Sequence, residues 1–540
     1  MHKVPYLLIL LLLVPVLVPA QSDSVYKYWV TFADKGDSDY TLDNPADYLA
    51  PRSLERRQRQ HIAIDSLDLP VSPAYVQRLQ DLGFRVQNRS KWLNGVVLFA
   101  ADSSQAAVLD TVPFVTSWQL FDHGTASLPQ EGLVDGGTPA CPIVFDSLYD
   151  SNYYRAGFPQ IEQLRGRALH RAGYEGQGLV VGVCAGGFPG VDTIAVFDTL
   201  RSEGRLLATR DFVWDGDDVY CIHNHGTAVL SNLASYIPGL YVGTAPKASY
   251  VLCRTENTYT ETPLEMINWV AAAEYLDSLG ADVITTSLGY YVYDDTNFHY
   301  PLDGRSAPIS QGAGIAVTRG MLVVNAAGNN GHYNPPYLNA PADVESVLTV
   351  GAVDGEGVVT GFSSPGPTDD GRLKPDVMAM GQGVAVAGTQ GYLRYSSGTS
   401  FATPILAGMM TCLWQRFPDW TPQQLCDSVR SWVSRADSAD YDYGYGIPDF
   451  SRAMSHDPAP LVIPVLPDAP SFRLYPNPTT GVFTVECSAP ATLTVTDLAG
   501  RRLLRQEFQL SHLTFQLPAG VYLVTVTTAT TTATQRLVVR

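Results

Sequence analysis

Positive charge is scarce in this chain. Its 540 residues carry 35 Lys and Arg against 53 Asp and Glu, a net charge of −18. That balance argues against nucleic acid as a partner and against a cationic membrane-surface protein. Cysteine is scarce too: seven residues, at 141, 184, 221, 253, 412, 426 and 487, with no CxxC spacing. An odd, scattered set suggests neither a zinc site nor a complete disulfide framework. Cys412 and Cys426 flank a helix–loop–helix and are the pair placed to join, while Cys184 reads as a buried strand cysteine. Beyond the first 20 residues no stretch approaches the ~20 apolar residues of a membrane span. No metal-ligand spacing stands out, so no cofactor is expected. The acidic loop Asp211, Asp215, Asp217, Asp218 reads as solvated, with calcium as the alternative.

What is present divides the chain. A hydrophobic content of 45% with 16% charged residues describes a globular protein, and the length implies three or four domains. Residues 1–20 read as a secretory signal, with Lys3, the run Leu7 to Leu13 and the exit Val18-Pro19-Ala20. Residues 21–121 read as a small α/β unit in the order strand, helix, two strands, helix, strand. Its first helix starts at Ser72-Pro73 and repeats Val76, Leu79 and Leu82 at helical spacing, ahead of the stop at Gly83. The basic stretch Arg52 to Arg59 precedes that helix. Residues 122–159 are a linker rich in Gly, Pro, Asp and Ser. From 160 to 455 apolar strands alternate with helices, starting with a helix over Ile161 to Ala172 and a strand over Leu179 to Cys184. That alternation implies a doubly wound, mostly parallel α/β sheet. A proline-rich linker covers 456–471, and 472–540 alternates as an all-β sandwich.

Three stretches carry chemistry. Gly398-Thr399-Ser400-Phe401-Ala402-Thr403-Pro404 begins as a small-residue turn and continues as an apolar helix, with Pro404 expected in its first turn. Ser400 there is exposed and close to the positive end of the helix dipole. A lone Gly-Thr-Ser reads as an ordinary cap. His225 in His223-Asn224-His225-Gly226-Thr227 opens a second small-residue helix. Asn329 in Asn325-Ala326-Ala327-Gly328-Asn329 follows a buried strand, at the end where open sheets bind ligands. A serine, a base for its proton and an amide for the oxyanion form an acyl-transfer set. Ser400 and His225 are 175 residues apart in sequence, so only the fold brings them together.

Together these stretches resemble the subtilisin-like serine peptidases. The resemblance implies that Ser400 is the nucleophile, His225 the base and Asn329 an oxyanion donor. It implies that Ser287, Leu288 and Gly289 pair with the substrate backbone. One position departs from the pattern. The first core strand of that family ends in V-x-D-x-G, and here Val183-Cys184-Ala185-Gly186-Gly187 puts Ala185 where the triad aspartate belongs. Asp192 and Asp217 are candidates to reach His225 through space. Pro365 is a second departure, at a position where arginine is usual.

The first unit is similar to the propeptides of those enzymes, with an unrelated accessory domain as the alternative. Residues 472–540, with Tyr475-Pro476-Asn477-Pro478 and Pro518-Ala519-Gly520-Val521-Tyr522-Leu523-Val524, resemble the C-terminal sorting domains of the type IX secretion system. An adhesive or carbohydrate-binding sandwich is the alternative there. The resemblances imply a secreted or surface protein of a Gram-negative host of the Bacteroidetes kind. Its partners would be its own propeptide, the secretion machinery and a protein or peptide substrate. They imply a serine endopeptidase weakened at Ala185, or a pseudoprotease that kept the fold as a binding module.

Overall fold

The computed structural model of this chain describes residues 24–125, 149–455 and 472–540, apart from Asp37, Asp39, Pro336 and the short stretches 488–489, 498–500, 509–510 and 528–531. The expected signal at 1–20, Cys141, most of the 122–159 stretch and the proline-rich 456–471 lie outside the described residues. The chain divides into two compact units between 456 and 457.

In the first unit, β1 (Ser24–Phe32), β2 (Arg85–Ser90), β3 (Gly95–Ala100) and β4 (Val115–Thr125) form an antiparallel sheet in the order β2-β3-β1-β4. Helix Pro73–Asp81, capped by the Ser72 hydroxyl, buries Val76 and Leu79 against Tyr28, Val30 and Leu98, as its helical spacing requires. The second expected helix is a 3-10 helix over Ser103–Thr111.

The stretch Arg52 to Arg59 is a helix, Pro51–Arg59, for which the sequence alone shows only a basic run. Arg56 and Arg57 are each 1% exposed. Arg56 donates to the carbonyls of Ala281 and Arg319 and to the Asp277 carboxylate. Those carbonyls close the C-terminal ends of helices Leu264–Leu279 and Pro308–Thr318, where unpaired C=O groups and the helix dipole favour a cation. The sheet of this unit lies on helix Leu264–Leu279 through Trp29, Val97 and Phe121 against Leu264 and Ile267.

The central sheet follows. Its strands are β5 (Val180–Ala185), β6 (Leu206–Asp211), β9 (Ser249–Arg254), β10 (Val283–Thr286), β11 (Leu322–Ala326), β12 (Leu348–Val353) and β13 (Val377–Met380). A two-residue hairpin, β7 (Tyr236–Ile237) and β8 (Tyr241–Val242), lies between β6 and β9 in the chain. The sheet order is β13-β12-β11-β10-β5-β9-β6, with every pair parallel. This is the doubly wound sheet expected from alternating strands and helices. β6, an edge strand with half-exposed Thr209 and Arg210, lacks the apolar run that marks the buried strands.

Strand alternation sorts the two faces. Val181, Val183 and Ala185 join the layer of helices His225–Ala234 and Thr399–Arg416. Val180 and Cys184 join the layer of Leu264–Leu279 and Pro308–Thr318. Gly182 lets helix Leu264–Leu279 approach, since a Cβ there would sit 2.3 Å from a Leu276 methyl.

The expected helix over Ile161 to Ala172 is instead two short ones, Phe158–Gln163 and Arg167–Arg171. Arg165 adopts φ +51°, and a Cβ at Gly166 would meet the Met409 sulfur at 2.4 Å. Packing against the Ser400 helix imposes the break. The Cys412–Cys426 pairing is also corrected: both are buried free thiols. Cys412 donates to the Thr244 carbonyl at 3.2 Å, a direction that sequence separation does not specify. Cys184 is a buried free thiol on β5, opposite Cys253 of β9.

The second unit holds β16 (Phe472–Tyr475), β17 (Val482–Cys487), β18 (Ala491–Asp497), β19 (Arg502–Phe508), β20 (Ser511–Gln516), β21 (Gly520–Thr527) and β22 (Thr532–Val539). They form two antiparallel sheets, β16-β17-β20 and β19-β18-β21-β22. Phe483, Val485, Leu493, Val495, Val524, Val526 and Leu537 alternate inward as its core.

Candidate active site

The hairpin β14 (Val384–Ala387) and β15 (Leu393–Ser396) leads into Gly398, whose φ of +153° turns the chain into helix Thr399–Arg416. Ser400 is the second residue of that helix. Pro404, expected in the first turn, lies inside it. A proline there has no N–H for the carbonyl four residues earlier, which is that of Ser400. The Ser287 hydroxyl, just past β10, donates to that carbonyl at 2.7 Å. The Ser400 hydroxyl in turn donates to the Ser287 carbonyl at 3.2 Å. This pair of bonds places the 287–289 strand end beside Ser400. Ser287→Ala should leave the Ser400 carbonyl short of a donor and cost about 1–3 kcal/mol, read as a lower urea midpoint with unchanged slope.

Asn329 follows β11. Its side-chain oxygen accepts the Thr399 N–H at 2.9 Å and the Thr399 hydroxyl at 3.0 Å. With the oxygen held twice, the amide NH₂ is the end left for another acceptor, an orientation assigned from these bonds. A Cβ at Gly398 would lie 3.6 Å from that nitrogen and 3.7 Å from the Ser400 nitrogen, so the amide and the start of the Ser400 helix border the same space.

His225 begins helix His225–Ala234. Its ring lies 6.2 Å, centroid to centroid, from that of Phe401, the residue after Ser400. The fold therefore gathers His225, Asn329, Ser400 and Ser287 to Gly289 at the C-terminal edge of the sheet. Among the described residues neither ring nitrogen of His225 has a hydrogen-bond partner, and no carboxylate pairs with it. Asp217 faces Arg210, and Asp192 is exposed to solvent. Ala185 is fully buried in the apolar layer. Burial, and secondarily the neighbouring His223, push the His225 pKa down to about 4. No anion opposes that shift.

The acidic loop is held by arginines. Arg254 donates to Asp211 at 2.8 Å, and Arg210 pairs with Asp215 and Asp217. Four other carboxylates near the site carried no signal in the sequence reading. Glu256, Glu261, Glu265 and Asp294 line a cavity of about 450 Å³ that also borders His225 and Leu288. The signal available in the sequence is three glutamates within ten residues, two on the loop before helix Leu264–Leu279 and Glu265 in its first turn.

A serine at a helix start, a histidine at another and a free amide, all at the carboxyl edge of one parallel sheet, define a serine-hydrolase type of arrangement. Residues 209–446 match the subtilase family, Peptidase S8, so the chain carries a subtilisin-like S8 domain. Residues 27–131 match the Peptidase S8 propeptide domain of Bacteroidota, and 473–540 match a secretion system C-terminal sorting domain. The subtilase match begins at 209, after the strand that ends in Ala185.

Among curated proteins the chain is similar to "Serine protease AprX" of Bacillus subtilis, 29% identical over 47% of this chain and 64% of that protein. It is 32% identical to human "Membrane-bound transcription factor site-1 protease" over 35% of this chain and 17% of that protein. It is 29% identical to "Subtilisin E" of Bacillus subtilis over 53% of this chain and 68% of that protein. The sorting domain marks the chain for export across the outer membrane, to the surface or beyond. Among the described residues no helix is long and apolar enough to cross a membrane.

Proposed function

We propose that this chain is an exported serine endopeptidase that works with a dyad. The observation that carries this reading is the convergence of Ser400, His225 and the free Asn329 amide at one sheet edge. Ser400 attacks a peptide carbonyl, His225 takes its proton and returns it to the leaving amine, and water completes hydrolysis. Asn329 and the Ser400 N–H hold the oxyanion, and Ser287 to Gly289 pair with the substrate backbone. Ala185 leaves His225 with no group to fix its tautomer or stabilise its cation, so the rate is low. The same observation favours a second reading, a pseudoprotease that binds peptides without cleaving them. A fluorophosphonate probe on the processed protein separates the two: slow labelling, absent in Ser400→Ala, supports the peptidase, and no labelling supports the binding module.

Two further results are expected. The histidine must be neutral to accept a proton, and its pKa is near 4. Activity should therefore persist to about pH 4–5, rather than fall near the ordinary histidine value of about 6.5. A fall centred near 6.5 would mean an anion does reach the ring. The same depression stabilises the folded chain fully above about pH 6.5 and is lost as pH drops toward 4. Second, deleting 472–540 should trap the protein in the periplasm of its host with the catalytic unit folded. Normal arrival at the surface would remove the sorting role.

A further inference from the structure

The cavity beside His225 is lined by acidic groups. It is about 450 Å³, and Glu256, Glu261, Glu265 and Asp294 line it, with no Lys or Arg among the lining residues. Glu265 is fixed by the N–H groups of Asn257 and Thr262, Asp294 by that of Glu261, and Glu256 by the Tyr290 hydroxyl. The Glu261 carboxylate accepts no hydrogen bond and faces no cation among the described residues. Arg254, which acts on Glu256, is engaged with Asp211 and the Gly186 carbonyl. Burial first, then repulsion from Glu256 and Asp294, raises the Glu261 pKa to about 8, and burial raises that of Glu256 to about 7. Arg254 opposes the shift of Glu256 but not that of Glu261, so Glu261 is a buried carboxyl without a counter-charge, which an entering cation would draw into its charged form.

Two observations independent of that charge say what fills the space. The unpartnered imidazole of His225 forms part of the wall, and so does Leu288 of the strand end locked to Ser400. A peptide held at Ser400 therefore runs past this opening. The carboxylates are also spread around the cavity rather than converging: among the described residues no three acidic, His or Cys side chains are grouped to hold a metal ion. Leu288, Thr258 and Tyr259 offer apolar surface for a methylene stem. A long stem with a cationic tip matches both linings.

The geometry points to a subsite for a lysine or arginine side chain of the bound peptide, with Glu261 and Glu256 as the residues that select it. This rests on the peptide-binding reading above. It assigns the substrate class: peptides carrying a basic residue next to the bond at Ser400.

The test uses the processed full protein and tetrapeptide fluorogenic amides that differ at one position at a time, carrying Lys, Leu or Glu. At one position Lys should exceed Leu by about tenfold in kcat/KM, since a cation that pairs with a buried carboxyl discriminates by about that much or more. Glu261→Gln should bring that ratio toward one. Glu261→Lys should invert it in favour of the Glu peptide, a gain that misfolding cannot produce. The same Lys and Leu peptides, fluorescein-labelled, are then bound to Ser400→Ala protein, where anisotropy reads affinity without turnover. A Lys preference in binding with no cleavage of any peptide overturns the peptidase reading and keeps the subsite. Equal affinity for Lys and Leu peptides at every position, with no inversion in Glu261→Lys, overturns the subsite.

Discussion

Ala185→Asp should raise peptidase activity by about two to four orders of magnitude, because loss of this carboxylate in subtilisin costs about 3 × 10⁴ in kcat. Residue 185 ends β5 on the face that carries the His225 and Ser400 helices. An aspartate there would accept the imidazole N–H and stabilise the imidazolium formed as Ser400 attacks, worth about 6 kcal/mol at the upper limit. The His225 pKa would rise, so the acid limb of the pH profile should move up from about 4. Ser400→Ala should abolish activity in both backgrounds. The new carboxylate enters an apolar layer, and its desolvation is offset only if His225 turns a nitrogen toward it. A gain in rate with an unmoved acid limb would mean the aspartate acts elsewhere. No gain with an intact fold would favour the binding-module reading.

Asp277→Ala should cost about 3–5 kcal/mol of stability, the effect of removing one partner from a buried ionic group. Asp277 is fully buried and receives Arg56, the two terminal nitrogens of Arg57 at 2.9 and 3.0 Å, and Lys91 at 3.2 Å. Burial acts to raise its pKa, but Lys91, Arg56 and Arg57 outweigh it and hold the carboxyl below its ordinary value. With Asp277 gone, two guanidinium groups stay buried against helix ends with too little negative charge. The readout is the urea midpoint of the unprocessed chain. Arg435→Ala, which breaks a half-exposed pair with Asp440 at 2.6 Å, should change it by no more than about 0.5–1 kcal/mol. Similar losses in the two variants would show that the buried network adds nothing. This network joins residues 51–91 to the helices of the S8 domain, so Asp277→Ala should also weaken rebinding of a separately supplied 24–125 unit.

The parallel sheet and the β-sandwich were legible because their strands are regular. Apolar runs such as Leu179 to Cys184 need burial on both faces, and Phe483, Leu493 and Val524 alternate with polar neighbours. The helix Pro51–Arg59 was not legible as a buried element. Its burial depends on Asp277 and on two helix ends more than 200 residues away, and no local pattern encodes that. Pro404 misled because its cost was assigned locally. The missing hydrogen bond is made by Ser287, 113 residues earlier.

The sequence by itself determined the chemical alphabet of this protein: a serine, a histidine and an asparagine each at an element's end, to which the family resemblance adds an alanine where a carboxylate would complete them. Those are statements about single positions and their neighbours, which strand and helix periodicity fix. Only the tertiary structure decided that His225 stands without an anion among the described residues, that Asn329 spends its oxygen on Thr399, and that Glu256, Glu261, Glu265 and Asp294 face one cavity. Charge and hydrogen bonding act over a few ångströms in space, and residues that far apart in the fold are separated by up to hundreds along the chain.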